Sequence, residues 1–276
     1  LVVRYMNQPE LVPWQYIFGR GLTIFIVLNL YLFFEEGITF YKNYMKIGIS
    51  GIIGGIGLGI AMISFIYSIT NTSAAITLLC LAAMPFFTAL LGFLFLRERI
   101  SLNVWIAIIL ATIGIIIIAI GNTGKASLLG FVFGMTSSIG FSIFSVTLRW
   151  RKETPKFTTV ALSGLFCFVI ASIFILSKDQ VFFSTSYNGT LFSLHGVLVC
   201  FGLILYSIGS KAIPAAELTL LSLTEVIGGI FWVWLPIFGI NEVPSTNTII
   251  GGFFLFISIT YYSLVIRTNR RFIALN

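Results

Sequence analysis

The sequence predicts an all-α polytopic membrane protein, a ten-span inverted-repeat (5+5) helical bundle whose first span is mostly missing from this chain. Three observations support this prediction. Hydrophobic residues make up 58% of the 276 residues and charged residues only 9%, apolar runs of membrane-crossing length recur throughout, and short motifs repeat at a nearly constant distance. A soluble domain carries roughly 25% charged residues, so this chain lacks the polar surface that a soluble fold needs.

Nine apolar runs are each about 20 residues long, the length that crosses a bilayer as a helix. Gly, Pro, Asn or charged residues interrupt them, in segments such as "NTS", "RERIS" and "RWRKETPK". Because the connections are mostly short, successive helices should be antiparallel neighbours, and no separate soluble domain is expected. The predicted spans are residues 13–33, 47–69, 74–96, 102–121, 127–148, 158–177, 192–210, 216–238 and 246–266.

The basic residues are distributed unequally between the two sides that these spans define. Twelve lie on one side and three on the other, while Arg20 falls inside a span. A positive-inside bias of this size predicts a cytoplasmic C-terminus and places Leu1 outside, in a bacterial inner or plasma membrane. The twelve are Lys42, Lys46, Arg97, Arg99, Arg149, Arg151, Lys152, Lys156, Lys211, Arg267, Arg270 and Arg271; the three are Arg4, Lys125 and Lys178.

Internal repeats explain the odd number of spans. "TLLCLAAMPFF" (77–87) resembles "TLLSLTEVIGG" (219–229), and "YSI" occurs at both 67–69 and 206–208. With "ERIS"/"EVPS" and "LVVRY"/"VTLRW", the offsets are 142, 139, 144 and 145. We therefore predict two repeats, 1–122 and 123–276, the first lacking most of one upstream span. Five spans per repeat would make the halves inverted in the membrane, an architecture typical of secondary transporters.

At these motifs the chain resembles the drug/metabolite transporter superfamily, in its EamA-like branch. The resemblance rests on "YIFGRG", on "SAAITLLCLAAMPFFTALLGFLFLRERIS", on "LRWRKE" and on "EVIGGIFWVWLPIFGINEVPS". It implies a carrier of amino acids, related metabolites, nucleotide derivatives or drugs, usually moved outward. The chain departs from the family pattern at Val226, where proline often follows the glutamate, and in the extra residues "PIFGIN" before Glu242.

Glu225 is the main candidate for a binding group. It lies about nine residues into its predicted span, roughly 13 Å along the helix and near the middle of a ~30 Å hydrocarbon core. An ionisable group there costs about 3 kcal/mol on insertion and usually faces the bundle interior. Glu225 is therefore either part of a buried structural pair, with Arg20 as one partner, or a group that binds a cationic solute or a coupling proton.

Several polar residues accompany Glu225 as candidates for substrate binding. Ser222 and Thr224 lie beside it on the same helix, and the repeated "YSI" motif puts Tyr67 and Tyr206 at opposite mouths of inverted helices. The two tyrosines are either gates or interfacial anchors, since aromatic residues favour both membrane surfaces. The predicted substrate-binding residues are Glu225, Ser222, Thr224, Thr77, Tyr67 and Tyr206.

Other polar and small residues are given structural roles. Gly51, Gly55 and Gly59 form a small-residue stripe for helix packing. Arg20 is expected to snorkel to the headgroups or to form a pair, and His195 to lie at the interface without a partner. Glu98 and Glu242 are assigned to capping or loop ion pairs, and the cysteines, Cys80, Cys167 and Cys200, to packing.

The function that these observations predict is transport. The net charge of +7 is spread between apolar runs and forms no nucleic-acid surface, and no enzyme motif, metal-ligand spacing, cofactor motif or channel filter is present. We expect a secondary transporter for a small organic metabolite, an amino acid or related amine-bearing solute, exported by alternating access. Its partners would be this solute, the lipid bilayer and, as one candidate, a coupling proton. The alternatives are a multidrug or nucleotide-sugar-like carrier, or a membrane enzyme or assembly subunit.

Overall fold

A computed structural model of the chain describes most of its residues, and these are helical, without a strand. The described residues are 5, 13–72, 77, 80–98, 100–120, 127–151, 153–183, 185–225, 227–228, 235 and 245–274. The helices are α1 (Pro13–Glu36), α2 (Lys42–Lys46), α3 (Gly48–Asn71), α4 (Met84–Leu91), α5 (Leu102–Ile120), α6 (Leu128–Trp150), α7 (Lys156–Ser177), α8 (Ser186–Gly209), α9 (Ala215–Ser222) and α10 (Thr246–Ala274). A 3-10 helix (Gly37–Tyr41) joins α1 to α2, and a π-helix (Gly92–Leu96) extends α4.

The helices coincide with the predicted spans. Within the described residues, five are long and apolar enough to cross a membrane, and three shorter apolar helices accompany them, Cys80–Leu96, Leu102–Ile117 and Ile249–Leu264. The seventh span begins earlier than predicted, at Ser186 instead of residue 192. Most of 229–244 lies outside the described residues, including Glu242, so the end of the eighth predicted span is not described. The prediction of a polytopic helical membrane protein is confirmed.

Large apolar side chains cover the outside of the bundle. On α3, Ile49, Ile52 and Ile56 are exposed, and on α5, Ile109 and Ile116. Water would disfavour such a surface, whereas lipid tails are as apolar as these side chains. A helix also satisfies its backbone hydrogen bonds internally, as the hydrocarbon core requires.

Local signals set the helix ends. The side chain of Ser127 accepts a hydrogen bond from the Gly130 N–H, and that of Thr185 accepts one from the Asn188 N–H, so both residues cap the helices that follow. Gly37 (φ 63°) and Gly48 (φ 59°) flank the segment between α1 and α3 in left-handed conformations that glycine adopts without strain. These turns let the chain reverse within a short connection.

The helices pack in pairs. The main partners are α3 with α6, α1 with α7, α5 with α10, and α4 with α9; α8 packs on α1 and α3 also packs on α7. In the predicted duplication, α1 and α7 are equivalent spans, as are α4 and α9, and α5 and α10. Pairing of equivalent helices is the arrangement that a pseudo-two-fold axis produces.

Buried apolar side chains form two clusters. The larger one joins α1, α3, α6, α7 and α8 around residues such as Tyr16, Leu58, Phe144 and Phe192. The smaller one joins α4, α5, α9 and α10 around residues such as Ile115 and Leu220. Because α4 and α9 both also pack on α6, the seam between the clusters runs beside these two helices.

The small-residue stripe of α3 serves close packing, as predicted. A Cβ atom on Gly55 would lie 2.9 Å from the Leu162 side chain, and one on Gly59 would lie 2.5 Å from that of Phe166, both on α7. A second stripe, absent from the prediction, faces α6: a Cβ on Gly57 would lie 3.1 Å from the Gly140 carbonyl oxygen. Glycine on two faces allows α3 to lie close to both neighbours.

The two ends of the bundle differ in chemistry. At one end Trp14 stacks on Phe174 with ring centroids 4.1 Å apart and meets Tyr67 at 5.2 Å; we call this the aromatic end. At the other, Arg149 forms an ion pair with Glu98, N–O distance 2.7 Å, and Lys156 donates to Ser210; we call this the basic end. The ion pair of Glu98 confirms the structural role expected for it.

Candidate functional site

Two helices of the bundle are interrupted at corresponding positions. Near Ala83 the helical segment Cys80–Leu96 contains a turn, with the N–H of Ala83 donating to the carbonyl of Cys80 at 3.1 Å. At Leu223 the chain turns in the same way, and its N–H donates to the Leu220 carbonyl at 3.2 Å. The two breaks are 140 positions apart (223 minus 83), close to the predicted repeat offsets. Paired interruptions of this kind mark the binding site in inverted-repeat transporters.

Each break has a local cause in the sequence. Pro85 follows the first break, and proline supplies no N–H to the helix ladder and crowds the preceding turn. The second break follows a group of hydroxyl residues: Thr219 donates to the carbonyls of Ala215 and Ala216, and Ser222 to that of Thr219. Side-chain bonds to the preceding turn compete with the backbone ladder and bend helices.

Glu225 lies two residues beyond the second break. Its side chain is exposed to solvent. Its charge interacts with the hydroxyl group of Tyr206 on α8. Glu225 therefore faces protein groups of the bundle.

Tyr206 links this region to α6. Its hydroxyl is 2.6 Å from the Ser145 Oγ, and its ring packs on Phe141 and Phe144, with centroids 5.1 and 6.0 Å away. The tyrosine is half-buried and lies one turn before the end of α8, towards the basic end. Tyr206 and Ser145 thus share a hydrogen bond, and Glu225 lies within electrostatic range of Tyr206.

The three candidate hydroxyl residues, Ser222, Thr224 and Thr77, differ in their burial and hydrogen bonds. Ser222 Oγ donates a hydrogen bond to the Thr219 carbonyl, and Thr224 Oγ1 donates one to the Leu221 carbonyl. Both hydroxyls can therefore still accept a hydrogen bond, but neither has a further proton to donate. Thr224 is exposed and Ser222 half-buried. Thr77 is fully buried and its Oγ1 lies 2.9 Å from the Ser68 Oγ. The structure therefore groups Ser222 and Thr224 with Glu225 and brings Thr77 against α3 instead.

Tyr67 belongs to the aromatic end. It is half-buried near the end of α3 and contacts Trp14 and Phe133, both at 5.2 Å between ring centroids. Tyr206 lies near the basic end, so the repeated "YSI" motifs are at opposite ends of the bundle, as predicted. Whether the two tyrosines gate the mouths stays a prediction.

Arg20 neither snorkels nor pairs with Glu225 in the part of the chain that the structure describes. Its residue exposure is 3%, Nη2 donates to the Met62 carbonyl oxygen at 2.8 Å, and the guanidinium lies 5.6 Å from the centre of the Tyr16 ring. The expected reach to the headgroups is wrong because the guanidinium is buried against α3 and the Tyr16 ring. His195, expected to have no partner, has its Nδ1 in a hydrogen bond with the Tyr16 hydroxyl.

Two residues beside the site escaped the sequence prediction. Glu217, in the first turn of α9, accepts a hydrogen bond from the buried Tyr262 hydroxyl of α10. Ser145 belongs to a row of serines on α6, "SSIGFSIFS", with the buried members Ser137, Ser138, Ser142 and Ser145. Their helical spacing was the available signal, because four hydroxyls on an apolar span indicate an interior face.

Chemically, the site offers one carboxylate among hydroxyl groups. Among the described residues, no three His, Cys, Asp or Glu side chains come together as metal ligands. A groove of about 690 Å³, lined by Phe183, Thr185, Ser186, Gly189, Thr190 and Ser193, lies at the start of α8 and includes none of the predicted site residues. The carboxylate is suited to binding a cation or a proton.

Comparison with known proteins relates the chain to transporters. Residues 1–120 match the EamA-like transporter family. The chain is 26% identical over 176 residues, 63% of its length, to an uncharacterized transporter of Helicobacter pylori (strain J99 / ATCC 700824), and spans 58% of that relative. It is 24% identical over 204 residues, 73% of its length, to the pseudopaline exporter CntI of Pseudomonas aeruginosa (strain UCBPP-PA14), covering 70% of that protein.

The fold is also known. A solved crystal structure matches with a TM-score of 0.75 at 15% identity, covering 93% of this chain and 89% of the other. The helical bundle described above thus shares its fold with a solved structure. Residues 1–120, the part that matches the EamA-like transporter family, carry the arginine, proline and "RERIS" motifs of the first half.

Proposed function

We propose that the protein is a secondary transporter that exports a small organic solute, an amino acid or related amine-bearing compound, by alternating access. The observation that carries this proposal is the position of Glu225, an accessible carboxylate two residues beyond the break in α9. The matching break near Ala83 supports it, because both interruptions lie on helices that pack together.

The carboxylate favours a solute with a positive charge. An ionised acid at mid-membrane depth is costly unless water, a partner or a ligand compensates it. Glu225 has no basic contact among the described residues, while Tyr206 and the hydroxyls of Ser222 and Thr224 supply neutral polar groups. An ammonium group would compensate the charge directly, and a coupling proton would neutralise it.

The aromatic and basic ends would serve as the two mouths. Trp14, Tyr67 and Phe174 close off the aromatic end through ring contacts between α1, α3 and α7. The similarity to the pseudopaline exporter of Pseudomonas aeruginosa supports export as the direction. Alternating access would open one end while the other is held closed.

The test is uptake of a panel of radiolabelled solutes into proteoliposomes that contain the full-length protein. We expect a cationic or zwitterionic amine to be transported and the Glu225→Gln variant to lose at least about 90% of this flux, since the amide cannot carry the compensating charge. Glu153→Gln is the matched control, because Glu153 is exposed in the connection between α6 and α7.

The possible results distinguish between the candidate functions of the protein. Normal transport by Glu225→Gln with unchanged pH dependence would make Glu225 structural and overturn this site. Transport restricted to bulky aromatic or phosphorylated solutes would favour the multidrug or nucleotide-sugar-like alternative. Chemical conversion of a solute without net flux would favour a membrane enzyme.

A further inference from the structure

Three basic side chains converge at the basic end, outside the site proposed above. Lys156, the first residue of α7, donates from Nζ to the Ser210 Oγ at 2.8 Å. Arg149, near the end of α6, donates from Nη1 to the carbonyl oxygens of Ser210 and Ile213 at 3.2 and 2.7 Å. Lys211 follows Ser210 directly, and both it and Arg149 lie close enough for their charges to repel that of Lys156.

The nearby acids leave this cluster positive. Glu98 is engaged by Arg149, and Glu217 is engaged by Tyr262. Glu153 is exposed in the connection before α7 and is adjacent in sequence to the basic residues around it. Among the described residues, neither Lys156 nor Lys211 forms an ion pair, so two cations remain to attract an anion.

The backbone reinforces the positive potential. Helices α7 and α9 both begin here, after Pro155 and Pro214, and neither has a side-chain N-cap. The exposed N–H groups of a helix N-terminus favour an anion, especially a phosphate. Two fully buried hydroxyls nearby, Thr158 in the first turn of α7 and Ser207 in the last turn of α8, have no hydrogen-bond partner in the described structure.

An apolar strip continues from the basic cluster along α8. Phe201, Leu205 and Ile208 are 63, 53 and 48% exposed and recur at three- to four-residue spacing, so they share one face of the helix. The strip ends three residues before Lys211. A ligand with a negatively charged head and a hydrocarbon tail matches both parts, whereas a free phosphate matches only the first.

We propose that Lys156 and Lys211 bind the phosphate of an anionic phospholipid headgroup, with an acyl chain lying along Phe201, Leu205 and Ile208. Basic pockets at helix ends bind such headgroups, and each lysine near the membrane surface contributes about a fivefold gain in affinity. Arg149 positions the turn at Ser210 while Lys156 and Lys211 supply the free charge.

The test measures lipid binding by native mass spectrometry of the full-length protein, titrated with phosphatidylglycerol, phosphatidylcholine or inorganic phosphate. We expect phosphatidylglycerol to bind selectively, and Lys156→Gln and Lys211→Gln each to weaken it about fivefold. Lys178→Gln is the control, because this exposed lysine follows α7 at its other end. Lys211 is also exposed, so its variant tests the proposal even if Lys156→Gln fails to fold.

Three outcomes would overturn the proposal. Equal binding of phosphatidylglycerol and phosphatidylcholine would show that the negative charge of the headgroup does not determine binding. Equal weakening by Lys178→Gln would indicate attraction by the overall charge instead of this cluster. Displacement of the lipid by stoichiometric inorganic phosphate, with the same loss in the lysine variants, would identify a soluble anion as the ligand. The readout is independent of transport.

Discussion

Gly21 of α1 and Gly164 of α7 pack on each other's main chain. A Cβ on Gly21 would lie 2.9 Å from the Gly164 carbonyl oxygen, and a Cβ on Gly164 would lie 2.8 Å from the Gly21 carbonyl oxygen. The two residues are 143 positions apart (164 minus 21), within the range of the repeat offsets read from the motifs. A two-fold axis would produce such a reciprocal contact, and the inverted duplication stays a prediction.

Alanine at either glycine should destabilise the protein. Because the new methyl group would meet backbone atoms that cannot rotate away, we expect Gly21→Ala and Gly164→Ala each to reduce stability by about 1–3 kcal/mol. Gly202→Ala on α8 is the control, since a Cβ there meets nothing within 4 Å. Thermal unfolding in detergent measures the difference, and equal melting temperatures for all three variants would contradict the close crossing.

Arg20 should be important for folding and independent of Glu225. Arg20→Gln removes a charged donor to the Met62 carbonyl and the contact with the Tyr16 ring, so a loss of about 2 kcal/mol is expected. Arg151→Gln, at an exposed residue, should have little effect. A double-mutant cycle with Glu225→Gln measures their coupling. A coupling above about 1 kcal/mol would support the buried structural pair of Arg20 and Glu225 that the sequence allowed.

Tyr67 and Tyr206 should control access from opposite ends. We expect Tyr67→Ala to increase labelling of a cysteine at Thr224 by reagents added at the aromatic end, and Tyr206→Ala to increase it from the basic end. The three native cysteines are buried and would be replaced by alanine to remove background. Equal changes from both sides, or none, would leave only interfacial anchoring for the tyrosines.

The Glu98–Arg149 ion pair should stabilise the basic end of the bundle. The two side chains are 23 and 25% exposed, so solvent screens the pair only in part and we expect a coupling of about 1 kcal/mol. Glu98→Gln, Arg149→Gln and the double variant give this value from thermal unfolding. Arg149→Gln should cost more than Glu98→Gln, because it also releases the carbonyls of Ser210 and Ile213. The reverse order would exclude Arg149 as the link between α6 and the α8–α9 turn.

The C-terminus should lie in the cytoplasm. The basic end gathers residues from the side of the sequence that carries twelve of the fifteen loop-associated cations, and such residues stay inside. An Asn276→Cys variant should be labelled by impermeant reagents only after the cells are opened. Labelling in intact cells would show that the orientation is the reverse of the predicted one. A cysteine at Lys178, on the predicted outer side, is the control and should be labelled in intact cells.

The sequence by itself determined the class of the fold and the approximate spans. Runs of about 20 apolar residues, with breaks at Gly, Pro and charged residues, predicted the boundaries of α3, α5 and α6 to within about two residues. The offset between repeated motifs predicted a duplication with equivalent helices in its two halves, and this stays a prediction. The acid at position 225 was conspicuous because an ionisable side chain in the middle of an apolar span is costly to insert into a membrane.

Only the tertiary structure decided which side chains meet. The contact between Tyr16 and His195 joins residues 179 positions apart, and no local pattern encodes such a distance. The burial of Arg20 depends on its packing against α3 and Tyr16, whereas its position seven residues into a span allowed snorkelling equally well. The break at Leu223 arises from hydroxyl groups that donate hydrogen bonds to the preceding turn. Whether Ser and Thr form these bonds depends on how the helix is packed.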